Sequence, residues 1–353
     1  MRRSELETVG IATLREWGRE YGVASTMKAD IIAALADDYR EAMDRVVPGD
    51  TSEQAIWPLV PDAACEINGG YIDPPWLAEL EAASSFGHVE LLGPAGSGKS
   101  LGVHKLAATQ RRRLAVVTAD GGLRKRDLIG GAGLRNGSTV FQASEFAAAA
   151  RSGAWALIDE VNMAEPDAIA VLLGMLDHPG SEGSTFTVNG QVVPVHPDFR
   201  CFVTRNPGYA GSKRLNEAFA DRFWSIEVPP LLGDSLDAML TSHGVDDANV
   251  RRIAVMVVEA LYRNWESNRI VYQISPRRAL QAAEMYRRIG VGVRTLGPQH
   301  PGFWTLLTKS ITTKIDAKHD REAVARIIEQ AAEGWRLIQR DENNNSDKGG
   351  RNE

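Results

Sequence analysis

The segment Gly93-Pro94-Ala95-Gly96-Ser97-Gly98-Lys99-Ser100 packs three glycines, a lysine and two hydroxyls into eight residues and is followed directly by the helical stretch that Leu101 opens. The pattern GxxxxGK[ST] suits a nucleoside triphosphate. Such a ligand needs many N–H donors at short range, which only a glycine-rich turn ending at a helix N-terminus supplies. In that arrangement the backbone of 93–98 and Leu101 wraps the phosphates, Lys99 neutralises the outer ones, and Ser100 ligates magnesium. About sixty residues on, the apolar run Trp155-Ala-Leu-Ile ends in Asp159 and Glu160. The first carboxylate is placed to hold the Mg2+ shell, and the second to orient or deprotonate an attacking water. A third apolar run, Cys201-Phe-Val-Thr, ends in Arg205-Asn206-Pro207, where Asn206 can reach the same water or the terminal phosphate. The ligands this chemistry implies are ATP and Mg2+.

Residues in these roles need a sheet to carry them. Between Gly87 and Pro229 short apolar runs alternate with helical patterns, and the spacing predicts strands over 88–92, 114–118, 155–159, 200–204 and 224–228. Two further segments, Leu134 to Phe141 and Phe186 to Val193, each set Asn-Gly between strand-like residues, which is a strong hairpin signal. From Leu231 to about 340 the periodicity is helical throughout, so an all-helical domain over 231–340 is expected to follow the α/β nucleotide-binding domain at 70–230. Residues 1–45 read as two short helices, with Gly22 stopping the first and Ser25 or Thr26 capping the second. Residues 46–69, with Pro48, Gly49, Pro58 and Pro61, read as a linker, and 341–353 as a disordered tail.

The bulk numbers narrow the partners. A chain of 353 residues with 43% hydrophobic residues has room for two or three buried cores. A net charge of -6 excludes coating nucleic acid by bulk electrostatics and leaves only a local groove for that purpose. Cys65 and Cys201 stand alone, so neither a disulfide framework nor a zinc site is expected. The chain has no signal-like start and no long apolar run, so a cytoplasmic protein without membrane contact is expected.

Taken together, GPAGSGKS, ALIDEVNMAEPDAIAVLLGMLD, FVTRNPGYAGSKRLNEAFADRF and SPRRAL resemble the MoxR and dynein-related branch of the AAA+ ATPases over about residues 70–290. That branch includes the CbbQ and NorQ activators, the gas-vesicle protein GvpN, the cobaltochelatase ATPase subunit and midasin. The resemblance implies an α/β P-loop NTPase fold: an AAA+ parallel five-stranded sheet with flanking helices, then an all-helical lid. It also implies a homo-oligomer in the form of a hexameric ring. Asn206 is then sensor 1, Arg222 in Asp-Arg-Phe the arginine given to the neighbouring subunit, and Arg277 in Ser-Pro-Arg sensor 2. Arg214, Arg205 and Arg278 are nearby alternatives. The two hairpins correspond to elements that face a ring's channel or its partner. Protein remodelling, with a von Willebrand factor A domain protein as a family-type partner, is the implied activity. A chelatase-type subunit and a nucleic-acid-directed motor are the rivals. For the motor the pointer is TLREWGREYGV followed by MKADIIAAL, which resembles SAP and Rho-type helix-extended-helix modules, although 1–45 hold seven Lys/Arg against nine Asp/Glu.

Overall fold

The computed structural model describes residues 55–63, 74–135, 138–177, 184–207, 213–290 and 301–349. The helical module expected over 1–45 lies outside the described residues.

The chain enters the sheet domain through α1 (Pro75–Phe86), β1 (His88–Leu92) and α2 (Lys99–Thr109). There follow β2 (Leu114–Thr118), α3 (Lys125–Ile129), the hairpin of β3 (Gly130–Arg135) and β4 (Ser138–Ala143), α4 (Glu145–Ser152) and β5 (Trp155–Asp159). A 3-10 turn at Val161–Met163, α5 (Pro166–Ala170), the hairpin of β6 (Thr185–Val188) and β7 (Gln191–Pro194), β8 (Arg200–Arg205), α6 (Glu217–Ala220) and β9 (Phe223–Glu227) complete it. Five strands form one parallel sheet in the order β2-β5-β8-β1-β9. Its strands coincide with the predicted ones to within a residue at each end.

Why these residues form this sheet follows from burial. The three inner strands read as near-continuous apolar runs because both of their faces are covered. Side chains alternate across the sheet, so Trp155, Leu157 and Phe202 pack on one face with Trp76 and Leu80 of α1 and Val103 and Leu106 of α2. Ala156, Ile158, Cys201 and Val203 point to the other face, against Phe146 and the four alanines 147–150 of α4. Those alanines bring α4 close to the sheet, and the helix is bounded by Ser144, whose hydroxyl accepts from Ala147 N–H at 3.0 Å, and by Gly153 in the left-handed conformation.

The helical domain contains α7 (Gly233–Ser242), α8 (Ala248–Glu266), α9 (Arg277–Gly290), α10 (Pro301–Thr312) and α11 (Lys318–Gly349). Its core gathers Leu236 and Leu240 from α7, Ile253, Val257 and Leu261 from α8, and Phe303, Leu307 and Trp335 from the last two helices. Asp247 caps α8 by accepting from the N–H groups of Asn249 and Val250. No helix among the described residues is long and apolar enough to cross a membrane.

Two expectations are corrected. The tail expected to lack structure from 341 continues α11 to Gly349: once a helix is anchored by packing, each added residue gains a backbone hydrogen bond without paying for a new nucleus. The linker expected over 46–69 contains an ordered strap at 55–63. Ile56 donates its N–H to Phe141 O at 2.8 Å and accepts from Ala143 N–H at 2.8 Å, and Pro61 O accepts from Leu114 N–H at 3.0 Å. Val60 is buried in the sheet core. Trp57 meets Phe186 edge to face at 6.4 Å and carries the Arg151 guanidinium 4.6 Å from its ring centre. Pro58 and Pro61 tolerate this extended path because they need donate nothing to it.

The strap sets a boundary for truncation. Removing residues 1–45 is expected to leave the thermal unfolding midpoint within about 2 °C of the parent, whereas removing 1–63 strips Val60 and Trp57 from the core and is expected to lower it by about 5 °C or more. Differential scanning calorimetry of the two truncations checks this.

Candidate functional site

The site forms where β1, β5 and β8 end at the same edge of the sheet, the usual crevice of an open parallel sheet. The loop from Gly93 leaves β1 and turns into α2 through Gly96 and Gly98, both at positive φ (80° and 91°). A side chain at either position would be strained. At Gly96 a Cβ would also lie 2.2 Å from the Ser275 hydroxyl oxygen of the helical domain. The first amides of α2, from Lys99, Ser100 and Leu101, have no intrahelical partner and face the loop, so the turn presents donors to an anion. Pro94, Ala95 and Ser97 line a narrow cleft closed on its far side by Leu231, Tyr262 and Ile274.

Lys99 lies at the centre of the site. It is 6% exposed, and its Nζ donates to Gly93 O and Pro94 O at 2.8 Å each and to Asn206 Oδ1 at 2.7 Å. Asn206 in turn donates from Nδ2 to Glu160 Oε1 at 3.2 Å. On the other side Ser100 Oγ donates to Asp159 Oδ1 at 2.6 Å, and the same carboxylate oxygen accepts from Thr204 Oγ1. The Thr204 hydroxyl also accepts from the Glu160 backbone N–H at 2.9 Å. Glu160 itself sits at φ 57° and ψ 42°, a left-handed conformation rare outside glycine, asparagine and aspartate.

The predicted residues therefore fall into two groups. Lys99, Ser100, Asp159, Glu160 and Asn206 form one connected cluster. Arg277 stands at the start of α9, and its positive charge adds the smallest of the influences that lower the Lys99 pKa. Arg222 does not join the cluster. Its guanidinium is held by Leu173 O at 3.1 Å, Asp177 Oδ1 at 3.0 Å and Ala218 O. Of the alternatives, Arg205 is turned inward to an ion pair at 2.9 Å with Glu90, whose side chain is only 3% exposed. Strand alternation explains that, since Arg205 points opposite to Thr204 and Asn206. Arg214 lies on the surface beside Glu217, and Arg278 donates to Gln281. Thr204 was missed in the sequence, although its place two residues before Asn206 on one strand puts both on the same side.

The donor set fits the ligands that the motif implies. Glycines open a cradle that a Cβ would fill, and the Ser100 hydroxyl and Asp159 carboxylate are hard oxygen ligands side by side, as magnesium requires. Ser100 and Asp159 are the residues that would hold it.

Burial lowers the Lys99 pKa from 10.5 to about 8, with Asp159 and Glu160 opposing and Arg277 adding to the fall. Because the folded value lies below the unfolded one, the unfolded chain binds more protons between those two pH values. The ammonium thus costs the fold about 3 kcal/mol at neutral pH, and the cost is relieved as pH rises from 8. A triphosphate reverses the balance by placing negative charge on Nζ. Binding is expected to take up about half a proton at pH 8 and almost none at pH 6.5. Calorimetric titrations in two buffers of different ionisation heat measure the uptake, and identical heats at pH 8 would count against it. Lys99→Ala is expected to lose nucleotide binding altogether.

Residues 88–223 match the family model described as AAA domain (dynein-related subfamily). Among curated proteins the chain is 32% identical over 173 residues to an uncharacterized protein of Staphylococcus saprophyticus, covering 47% of this chain and 65% of that one. It is 33% identical over 159 residues to an uncharacterized protein of Bacillus subtilis, covering 44% and 52%. The chain thus spans between half and two thirds of the length of these relatives. A crystal structure from Cytophaga hutchinsonii, described as a candidate ATPase, covers 72% of this chain and 87% of that chain at 19% identity, with a TM-score of 0.38, too distant a likeness to bear on function. The sheet order, the glycine loop and the cluster beneath it make this the AAA P-loop fold, and residues 88–223 are similar to the AAA domains of the dynein-related subfamily.

Proposed function

We propose that this chain binds ATP with Mg2+ and hydrolyses it, and that it does so as a homo-oligomeric ring of the MoxR-like kind that remodels or activates a partner protein. The observation that carries the hydrolytic reading is Asn206, which bridges Lys99 and Glu160 in one hydrogen-bonded line. A residue in that position can sense the terminal phosphate beside the lysine and the catalytic carboxylate at once.

The division of labour follows from the geometry. The backbone of 93–98 and the α2 amides hold the phosphates, and Lys99 and Arg277 bring positive charge to them. Ser100 and Asp159 would hold Mg2+, which would supply charge neutralisation for the phosphates. Glu160 orients a water and takes its proton as the water oxygen bonds to the terminal phosphorus. The bond from that phosphorus to the bridging oxygen breaks, and ADP leaves with the electron pair. Arg222, held away from its own Lys99 cluster, is assigned to the site of the next subunit, where an arginine supplied across a junction is worth about 10³ to 10⁵ in rate. The exposed Leu134 and Val192 on the two hairpins offer apolar contacts for a partner. A von Willebrand factor A domain protein is the family-type candidate. Nucleic acid acting through residues 1–45, or a chelatase partner, would be the alternative, and stimulation of phosphate release by DNA or RNA would favour the first of these.

Glu160→Gln is expected to keep ATP affinity within about threefold of the parent and to lose at least about 100-fold in phosphate release. Arg222→Ala is expected to bind ATP nearly normally and hydrolyse it poorly. Mixing these two inactive proteins is expected to restore activity, because a junction with Glu160 on one side and Arg222 on the other is complete. Native mass spectrometry confirms mixed assemblies. Mixed assemblies without any gain at any ratio, or normal hydrolysis by Arg222→Ala alone, would remove the trans assignment.

A further inference from the structure

Thr204 is 1% exposed and stands at the end of β8, where the pairing with β5 runs out after Ile158 and Val203. The next residues across the two strands are Asp159 and Thr204. At that point the ladder is replaced by a side chain: the Glu160 N–H goes to the Thr204 hydroxyl at 2.9 Å. The hydroxyl has one proton, and it gives that proton to Asp159 Oδ1. One oxygen thus serves both carboxylate residues, taking a bond from the main chain of one and giving a bond to the side chain of the other. Only a hydroxyl does both from one small oxygen: valine has no hydrogen-bonding group, cysteine is weak in both roles, and serine keeps the function while losing the methyl.

The consequence is local. Glu160 occupies a left-handed backbone conformation that costs of order 1 to 3 kcal/mol for such a residue and persists only where its surroundings enforce it. The Thr204 bond is made to that very residue's N–H. It turns the chain sharply out of β5, and the Glu160 side chain then reaches Asn206 Nδ2 at 3.2 Å. Glu160 is therefore held at two points, its main chain by Thr204 near the end of β8 and its carboxylate by Asn206 just past that end.

We propose that Thr204 is a positioning residue for hydrolysis, setting Glu160 through its backbone while bracing the magnesium-binding Asp159. The inference rests on the ATPase reading above. The Thr204 hydroxyl is engaged by Asp159 and Glu160 rather than by the glycine loop, so its loss acts on the chemical step rather than on the loop that holds the phosphates, and a displacement of the carboxylate by about 1 Å is enough to cost about 100-fold.

The test compares Thr204→Val, which keeps shape and loses the hydroxyl, with Thr204→Ser, which keeps the hydroxyl and loses the methyl. ATP affinity is measured by calorimetry, and kcat and KM by phosphate release, on the full chain. Thr204→Val is expected to drop kcat by about 10- to 100-fold with affinity and KM within about threefold of the parent, and Thr204→Ser to keep kcat within about threefold. If the valine variant does not fold, Thr204→Cys takes its place and is expected to fall between the two. Parental kcat in the valine variant, or a serine variant as slow as the valine one, overturns the role. A loss of ATP affinity equal to the loss in kcat overturns it as well, because that would be a general collapse of the site. Absence of phosphate release from the parent would refute the ATPase reading and this role with it, whereas an active parent with an unaffected valine variant refutes the role alone.

Discussion

A buried ammonium is costly unless oxygens surround it, and the arrangement around Lys99 is a solution to that constraint. Two of its acceptors are carbonyls of its own loop, so the loop must double back within six residues, which the left-handed turns at Gly96 and Gly98 allow. The third is Asn206, so β8 must end beside β1. The strand order places β8 there, with β5 on its other side delivering Asp159 and Glu160 to the same edge. Lys99 remains a cation of lowered basicity, stable enough for the fold yet ready to gain from a phosphate.

The residues that meet this constraint were largely legible in the sequence. The glycine loop, the paired carboxylates and the asparagine each follow an apolar run, and runs of that kind are the inner strands of a parallel sheet. The outer strands were legible too, because β2 keeps the apolar run Leu114-Ala-Val-Val117 and β9 keeps Phe223, Trp224 and Ile226 within five residues. Asn189 and Gly190 take the positive φ values, 48° and 77°, that a tight hairpin turn demands.

What was not legible depends on contacts between distant parts of the chain. Thr204 gives no local signal, since a threonine in a buried strand is ordinary until one sees which N–H it accepts. Proline-rich 55–63 looked like a tether because its partners, Phe141, Ala143 and Leu114, are far away in sequence. Arg205 stood as an alternative to Arg222 until its pairing with Glu90 of β1 became visible, and Glu90 in turn takes a hydrogen bond from Ser225 of β9. The helical continuation past residue 340 reflects cooperativity from a packed neighbour, which composition does not report.

The contact between Gly96 and Ser275 has a kinetic meaning. The helical domain rests its Ser275-Pro276 corner directly on the glycine loop, and Pro276 also lines the cleft beside it. Anything held in that cleft is gripped between two bodies rather than lying on one. Under the proposed function, a nucleotide held at the glycine loop would leave as that corner moves off it. A partner that pulled on the helical domain would then act as an exchange factor without touching the phosphates, and one that pressed it inward would act as a brake. Under the proposed function such coupling would let load on the helical domain bear on release, while the chemistry stays with Glu160.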